Sequence, residues 1–153
     1  MAKILFTSPD DVKRNTVLSG NLDPDKLVQY INIAQDIWIH GALGTDLYNR
    51  ISEGIEADDL TADELVLLHD YIKPAGAHWT MVEYLPFAGF DISNQGSFRT
   101  TSENGQTTSE SEDNRLLEKQ RQTAKHYTDI LIKYLCNNTD LFPTYLTNGT
   151  EDR

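Results

Sequence analysis

The run DPDKLVQYINIAQDIWIHGALGTDLYNRI, from Asp23 to Ile51, carries the pattern from which the rest of the chain can be placed. Asp23 suits an N-cap, and Pro24 suits the first helical position, where its missing N–H costs nothing. Leu27, Tyr30, Ile31, Ala34 and Trp38 then recur at the three- and four-residue spacing of one helix face. Gln29, Asn32, Asp36 and His40 fall on the opposite side. The spacing predicts an amphipathic helix that stops at Gly41. Val28 and Ile39 lie roughly a quarter turn off the stripe. They belong either to a wider core or to a surface covered by another subunit. Leu43-Gly44 turns the chain, and Thr45 is placed to cap a short second helix with Leu47, Tyr48 and Ile51, closed by Gly54.

Working outward, residues 1–22 combine the short apolar run Ile4-Leu5-Phe6 with turn formers. One helical turn can start at Ser8-Pro9-Asp10-Asp11, with Val12 inside it. The expectation is an extended N-terminal arm, packed either on its own domain or on a neighbouring chain. Downstream, Glu56-Ala57-Asp58-Asp59 is an acidic linker. Thr61 to Glu64, TADE, forms a capping box in which threonine and glutamate satisfy each other's backbone amides. Leu65, Leu68 and Ile72 are the buried stripe predicted for the helix it starts. Pro74 removes a donor and crowds the preceding turn, which predicts a break near Lys73. A new segment then carries Ala75, Trp79, Val82 and Leu85 up to Pro86, and Ala75-Gly76-Ala77 is small enough for close approach.

Composition changes between 89 and 111, where serine, threonine, asparagine, glutamine and glycine dominate and Phe90, Ile92 and Phe98 are the apolar exceptions. Asn104-Gly105, flanked by threonines, is a strong hairpin signal. The segment reads as a projecting polar β-hairpin-like arm, with plain disorder as the alternative. The longest predicted helix follows, from Glu112 to about Asn137. Leu116, Leu117, Gln120, Ala124, Tyr127, Ile130, Leu131, Tyr134 and Leu135 make its stripe. Its other face holds Arg115, Lys119, Arg121, Lys125 and Lys133 against Glu118 and Asp129. That face is either solvated or pressed on the acidic face of a neighbour. The tail, 139–153, places Leu141, Phe142, Tyr145 and Leu146 around Pro143, and proline argues against a helix there. The fold expected is mainly α, a small bundle of four to five helices. Residues 1–22 form an arm, 23–138 the helical domain with its 89–111 insertion, and 139–153 a tail.

Bulk numbers narrow the function classes. The 153 residues suit one domain, and the net charge is −11 with a pI near 4.6. Phosphate binding to a duplex needs clustered positive charge, so a generic nucleic-acid surface is disfavoured. Cys136 is the single cysteine, which excludes an internal disulfide. MAKILF is too short an apolar run for a signal peptide. Nothing approaches the roughly 20 apolar residues that span a bilayer. His40, His69, His78 and His126 stand at no metal-ligand spacing to one another or to Cys136. Phosphate loops, G-x-G-x-x-G and G-x-S-x-G are absent from the sequence. No catalytic, cofactor or metal site is therefore expected, and the chain is not read as an enzyme.

The order of elements, beginning with YINIAQDIWIHGALGTDLYNRI, resembles the tailed-bacteriophage head–tail connector (adaptor, neck-ring) family. Ile31, Ala34, Ile37, Leu43, Gly44, Leu47, Tyr48 and Ile51 carry the resemblance, which extends over about 23–137. It implies a structural virion protein, assembled in the host cytoplasm, whose copies form a ring below the portal, commonly a dodecamer. Such a ring binds the portal and further neck or tail proteins and lines the channel for DNA, without specific DNA binding and without a membrane or cofactor. Candidate interface residues are Phe98, Arg99, Asn104 and Gly105 on the arm, and Arg115, Lys119, Lys125 and Lys133 on the basic face. Leu141, Phe142 and Tyr145 on the tail complete them. The long insertion and the N-terminal arm depart from the family pattern. The competing expectations are a monomeric helical regulatory or binding module and a tail-completion or terminator protein.

Overall fold

The computed structural model describes residues 3–17, 23–88, 90–93, 96–99 and 110–146, with the backbone alone for 90–93, 96–99 and Glu110. Helix α1 (Pro9–Asn15) starts at a capping box. The Ser8 hydroxyl accepts from the Asp11 amide at 3.1 Å, and the Asp11 carboxylate accepts from the Ser8 amide at 2.9 Å. Helix α2 comprises Pro24–Ala34, a π-helical turn Gln35–Ile39, and His40–Leu43, without interruption. Asp23 caps it through the Asp25 amide. Gly44 ends it at φ 76°, a conformation that glycine adopts without steric cost. The helix therefore runs past Gly41, whose exposed position tolerates the missing side chain.

Helix α3 (Thr45–Ala57) begins directly after Gly44. Thr45 does not cap it; its hydroxyl lies 3.0 Å from the His40 ring nitrogen Nε2. Gly54 does not close it either. The helix continues one turn to Asp58, left-handed at φ 54°. Gly54 is buried where a Cβ would collide with Leu60 as the linker folds back.

Helix α4 corrects the predicted break. Ala62–Val66, a π-helical turn Leu67–Ile72, and Lys73–Tyr84 form one continuous helix through Pro74, followed by a 3-10 turn Leu85–Phe87. In a regular α-helix the proline ring would press on the carbonyl four residues earlier and leave it without a donor. The wide turn just before it, in which the Lys73 amide reaches the Leu68 carbonyl, removes that conflict. The extra residue in the turn also rotates the apolar stripe. Leu67, Leu68 and Ile72 are buried, whereas Leu65, expected inside, is 41% exposed.

Strands β1 (Phe90–Ser93) and β2 (Gly96–Arg99) pair antiparallel, with Phe90 opposite Arg99 and Ser93 opposite Gly96. Asn104 and Gly105, where the hairpin turn was expected, lie outside the described residues; the described pairing is confined to 90–99, and a projecting arm over 89–111 is not supported. Helix α5 (Glu110–Asn137) is the longest, and α6 (Pro143–Leu146) is a single turn with Pro143 at its start. Proline fits that first position and does not prevent the turn. The described residues thus form six helices rather than four or five.

Three apolar clusters hold the helices together. The largest gathers Ile39 and Leu43 of α2, Leu47 and Ile51 of α3, Leu67, Leu68, Ile72 and Ala75 of α4, and Leu131 and Leu135 of α5. Phe6 and Phe142 seal it from either end of the chain. A second cluster joins Val12, Leu27, Ile31 and Ala77. The third joins Ala34, Trp79, Val82 and Ala124, with Trp38 and Leu117 against it. Each fully buried large side chain contributes about 1.5–3 kcal/mol. Ile39 at 1% exposure belongs to the wider core, so no second subunit is needed to cover it.

Of the two placements expected of the N-terminal arm, residues 3–17 take the one on their own domain. Gln35, 3% exposed, clamps them: the carboxamide oxygen accepts from the Phe6 amide at 2.8 Å, and the nitrogen donates to the Ile4 carbonyl at 2.8 Å. The same nitrogen lies 2.9 Å from the Tyr48 hydroxyl. Lys3 reaches the Asn32 carbonyl and pairs with Asp36. Thr7 lies over Gly76, where an added Cβ would sit 2.5 Å from its hydroxyl oxygen. The small run Ala75-Gly76-Ala77 thus admits the N-terminal segment as well as a helix. Lys73 then ties α4 to Asp11 of α1 at 3.1 Å.

Candidate partner interface

Helix α5 presents two faces. Ala124, Leu131 and Leu135 are buried, with Leu117, Gln120, Tyr127 and Tyr134 partly covered beside them. Arg115, Lys119, Lys125 and Lys133 are all exposed, on the outer side. Among the described residues none of these four has a carboxylate within 4.0 Å, while Arg121 pairs with Glu118 at 3.4 Å. Two predicted stripe positions also face out: Leu116 is 54% and Ile130 37% exposed. An open hollow at the start of the helix is lined by Glu112, Arg115, Leu116 and Lys119. From 115 to 133 five cations face two carboxylates, a local charge of +3.

The opposite charge sits on α3, the linker and α4. From 45 to 84 nine carboxylates face two cations, a local charge of −7. Both cations are engaged. Arg50 grips Glu64 with two 2.9 Å bonds and reaches Asp59 at 3.3 Å, and Lys73 holds Asp11. Burial disfavours the Glu64 carboxylate, but the Arg50 fork and the Thr61 amide outweigh it, so its pKa is lowered. The same bonds to Glu64 raise the Arg50 guanidinium, against a smaller opposing effect of burial. Asp11 behaves like Glu64: burial opposes its charge, and Ser8 with Lys73 more than restores it. Glu53, Glu56, Asp58, Asp63 and Asp70 remain exposed on this side.

Exposed apolar side chains accompany both regions. Leu65 and Val66 of α4, 41% and 43% exposed, lie among the carboxylates. On α2, Ile33 and Ile37 are 40% and 54% exposed, and Phe87 is 48% exposed beside Tyr30, 6.0 Å between ring centres. None of these was expected outside. Ile37, one of the residues that carry the connector resemblance, points away from the core, whereas Ile31, Ala34, Leu43, Leu47 and Ile51 are buried.

The remaining predicted interface residues separate. Phe98 and Arg99 lie in β2, opposite Asp91 and Phe90. Asn104 and Gly105 lie outside the described residues. Leu141 is exposed, but Phe142, at 1%, is core and is withdrawn from the interface: its ring packs 5.9 Å from Tyr134. Tyr145 is half-buried against the same core. Phe142 and Tyr145 therefore find their groove on this chain, whereas Leu141 and Leu146 stay exposed. A tail aromatic two residues after an acidic residue gave no signal that separates core from partner contact.

The histidines and tryptophans have local partners. His40 stacks on Tyr48 at 4.3 Å. His78 stacks on Tyr127 at 4.7 Å, with its Nδ1 2.9 Å from the Gln120 carboxamide nitrogen, and burial lowers its pKa. Trp38 and Trp79 stack at 3.7 Å and donate to Glu83 and Thr128. Among the described residues no group of three or more histidine, cysteine, aspartate or glutamate side chains converges as a metal requires. No helix among them is long and apolar enough to cross a membrane.

Against known proteins, residues 39–153 match the family of unknown function DUF6712. No curated protein and no solved structure matches the chain.

Proposed function

The chain belongs to the DUF6712 family, and we propose that it is a structural assembly protein, a head–tail connector that works by joining protein surfaces rather than by catalysis. One observation carries this reading. A basic outer face on α5, with four cations that no described carboxylate neutralises, belongs to a chain of net charge −11 whose α3–α4 side is strongly acidic. Two oppositely charged faces on different elements suit contacts between unlike surfaces, which close into rings or grow as filaments. The resemblance of the 31–51 residues to connectors supplies the setting: copies ringed beneath a portal in the virion neck, with further neck or tail proteins below. A negative lining repeated around such a channel lets DNA slide without sticking. The arm over 89–111 and the exposed Leu141 and Leu146 are then contacts for the portal or the tail.

A monomeric helical binding module is the second reading. What favours it is that Phe6, Phe142 and Tyr145 close the core within one chain. Mass measurement across concentration, with and without a portal protein, separates the two. A connector gains higher-mass species on the portal or at high concentration and loses them when Ser93 to Ser109 is deleted. A binding module stays monomeric throughout and loses only its partner.

A further inference from the structure

Leu65 and Val66 have no place in the core of their own chain, because the π-helical turn that follows them rotates the stripe of α4. Asp63 and Val66 are three residues apart and share one side of the helix, and Asp70 follows within the π-helical turn. Both aspartates are exposed and neither pairs with a cation among the described residues. Tyr71, beside Asp70, stacks on Tyr134 of α5 with 4.0 Å between ring centres, which sets this stretch of α4 against the later part of α5. The result is an apolar shoulder with a carboxylate on each side.

The start of α5 is its complement. Arg115 and Lys119, one turn apart, flank the half-exposed Leu116 in an open hollow. Glu112 also lines that hollow, and it has another interaction of its own. The two features cannot meet within one chain. Tyr134, which marks this stretch of α4, stands 15 to 19 residues along α5 from Lys119 and Arg115. At 1.5 Å per residue that is roughly 22 to 28 Å, several times an ion-pair distance.

Building on the assembly role proposed above, we infer that a second copy of this chain occupies the hollow: the Val66 shoulder of one copy seats against Leu116 of the next, with Asp63 and Asp70 facing Arg115 and Lys119. The contact joins unlike surfaces, so each copy keeps one free shoulder and one free hollow. It propagates rather than stopping at a symmetric dimer.

The test uses the full chain in two charge-reversed forms, Arg115→Glu with Lys119→Glu and Asp63→Lys with Asp70→Lys, each checked for native helicity by circular dichroism. Sedimentation is run at low ionic strength up to high protein concentration. The wild type forms higher-mass species. Each variant alone loses them, because both of its faces then carry one sign. An equimolar mixture regains them, because each hollow again meets an opposite shoulder. Variants that assemble like the wild type overturn this contact and leave the connector proposal standing. A wild type that stays monomeric, with portal or without, overturns both.

Discussion

Single atoms set how closely the N-terminal segment can lie on α4. Gly76 is such a position: its backbone is ordinary helix, and what it lacks is room, since a Cβ would meet the Thr7 hydroxyl oxygen at 2.5 Å. Gly76→Ala is expected to destabilise the protein by about 1–3 kcal/mol, as overpacking of a filled site does. Thr7→Ala removes the clashing oxygen, so the same glycine change in that background costs less than about 1 kcal/mol. Urea midpoints of the four proteins check this. Equal costs in both backgrounds would falsify the close approach. The sequence shows Ala75-Gly76-Ala77 as small, but it does not show that a threonine nearly 70 positions earlier fills the gap. Gln35 is similar. Nothing in its neighbours marks it as buried, and its role depends on Ile4, Phe6 and Tyr48 arriving together.

At the scale of elements, Pro74 and the turn before it form one device. His69 is exposed in the middle of the wide turn, and removing it would return α4 to regular α geometry with both flanks in phase. Regular geometry brings back the proline clash. Deleting His69 alone is therefore expected to cost roughly 3 kcal/mol or more, and adding Pro74→Ala to recover most of that. Thermal unfolding of the two variants beside the wild type decides it; a deletion that is silent with Pro74 in place would sink the idea. This is also where periodicity misled. The capping box at Thr61, the caps at Ser8 and Asp23, and the α5 stripe apart from Leu116 and Ile130 were legible because each depends on residues a few positions apart. A π-helical turn has the same composition as an α-turn, so the stripe built on Leu65 came out rotated.

For the whole molecule, pH acts through buried groups with opposite native preferences. Burial holds the His78 imidazole neutral, below its ordinary 6.5. Its contribution is complete above that value and is lost as pH falls through it, because the unfolded chain takes up the proton first. Asp11 and Glu64 are lowered from 3.8 and 4.5 by Ser8, Lys73, Arg50 and Thr61. Their contribution is complete above those values and is lost below them. Stability should fall in two acid steps, one beginning below about pH 6.5 and one below about pH 4.5. His78→Phe keeps the stack on Tyr127 and should erase the first step while leaving the second. Urea titrations at about pH 8, 5.5 and 3.5 read both steps; persistence of the first in the variant would show that another group causes it.

Taken by itself, the sequence determined what local chemistry can determine. It yielded the mainly helical class, the caps at Ser8, Asp23 and Thr61, the start of α2 and its buried face, the long α5, and the basic outer side of that helix. Each follows from spacings within a few turns and from charges that need no partner to be counted. Tertiary structure alone decided which apolar residues are left outside. Phe142 went in and Leu116 stayed out because burial depends on where distant helices cross, and hydrophobicity has no address. Packing also turned the N-terminal arm into a strap, since the entropy of ordering it is offset only once Gln35, Gly76 and the core around Phe6 are in place.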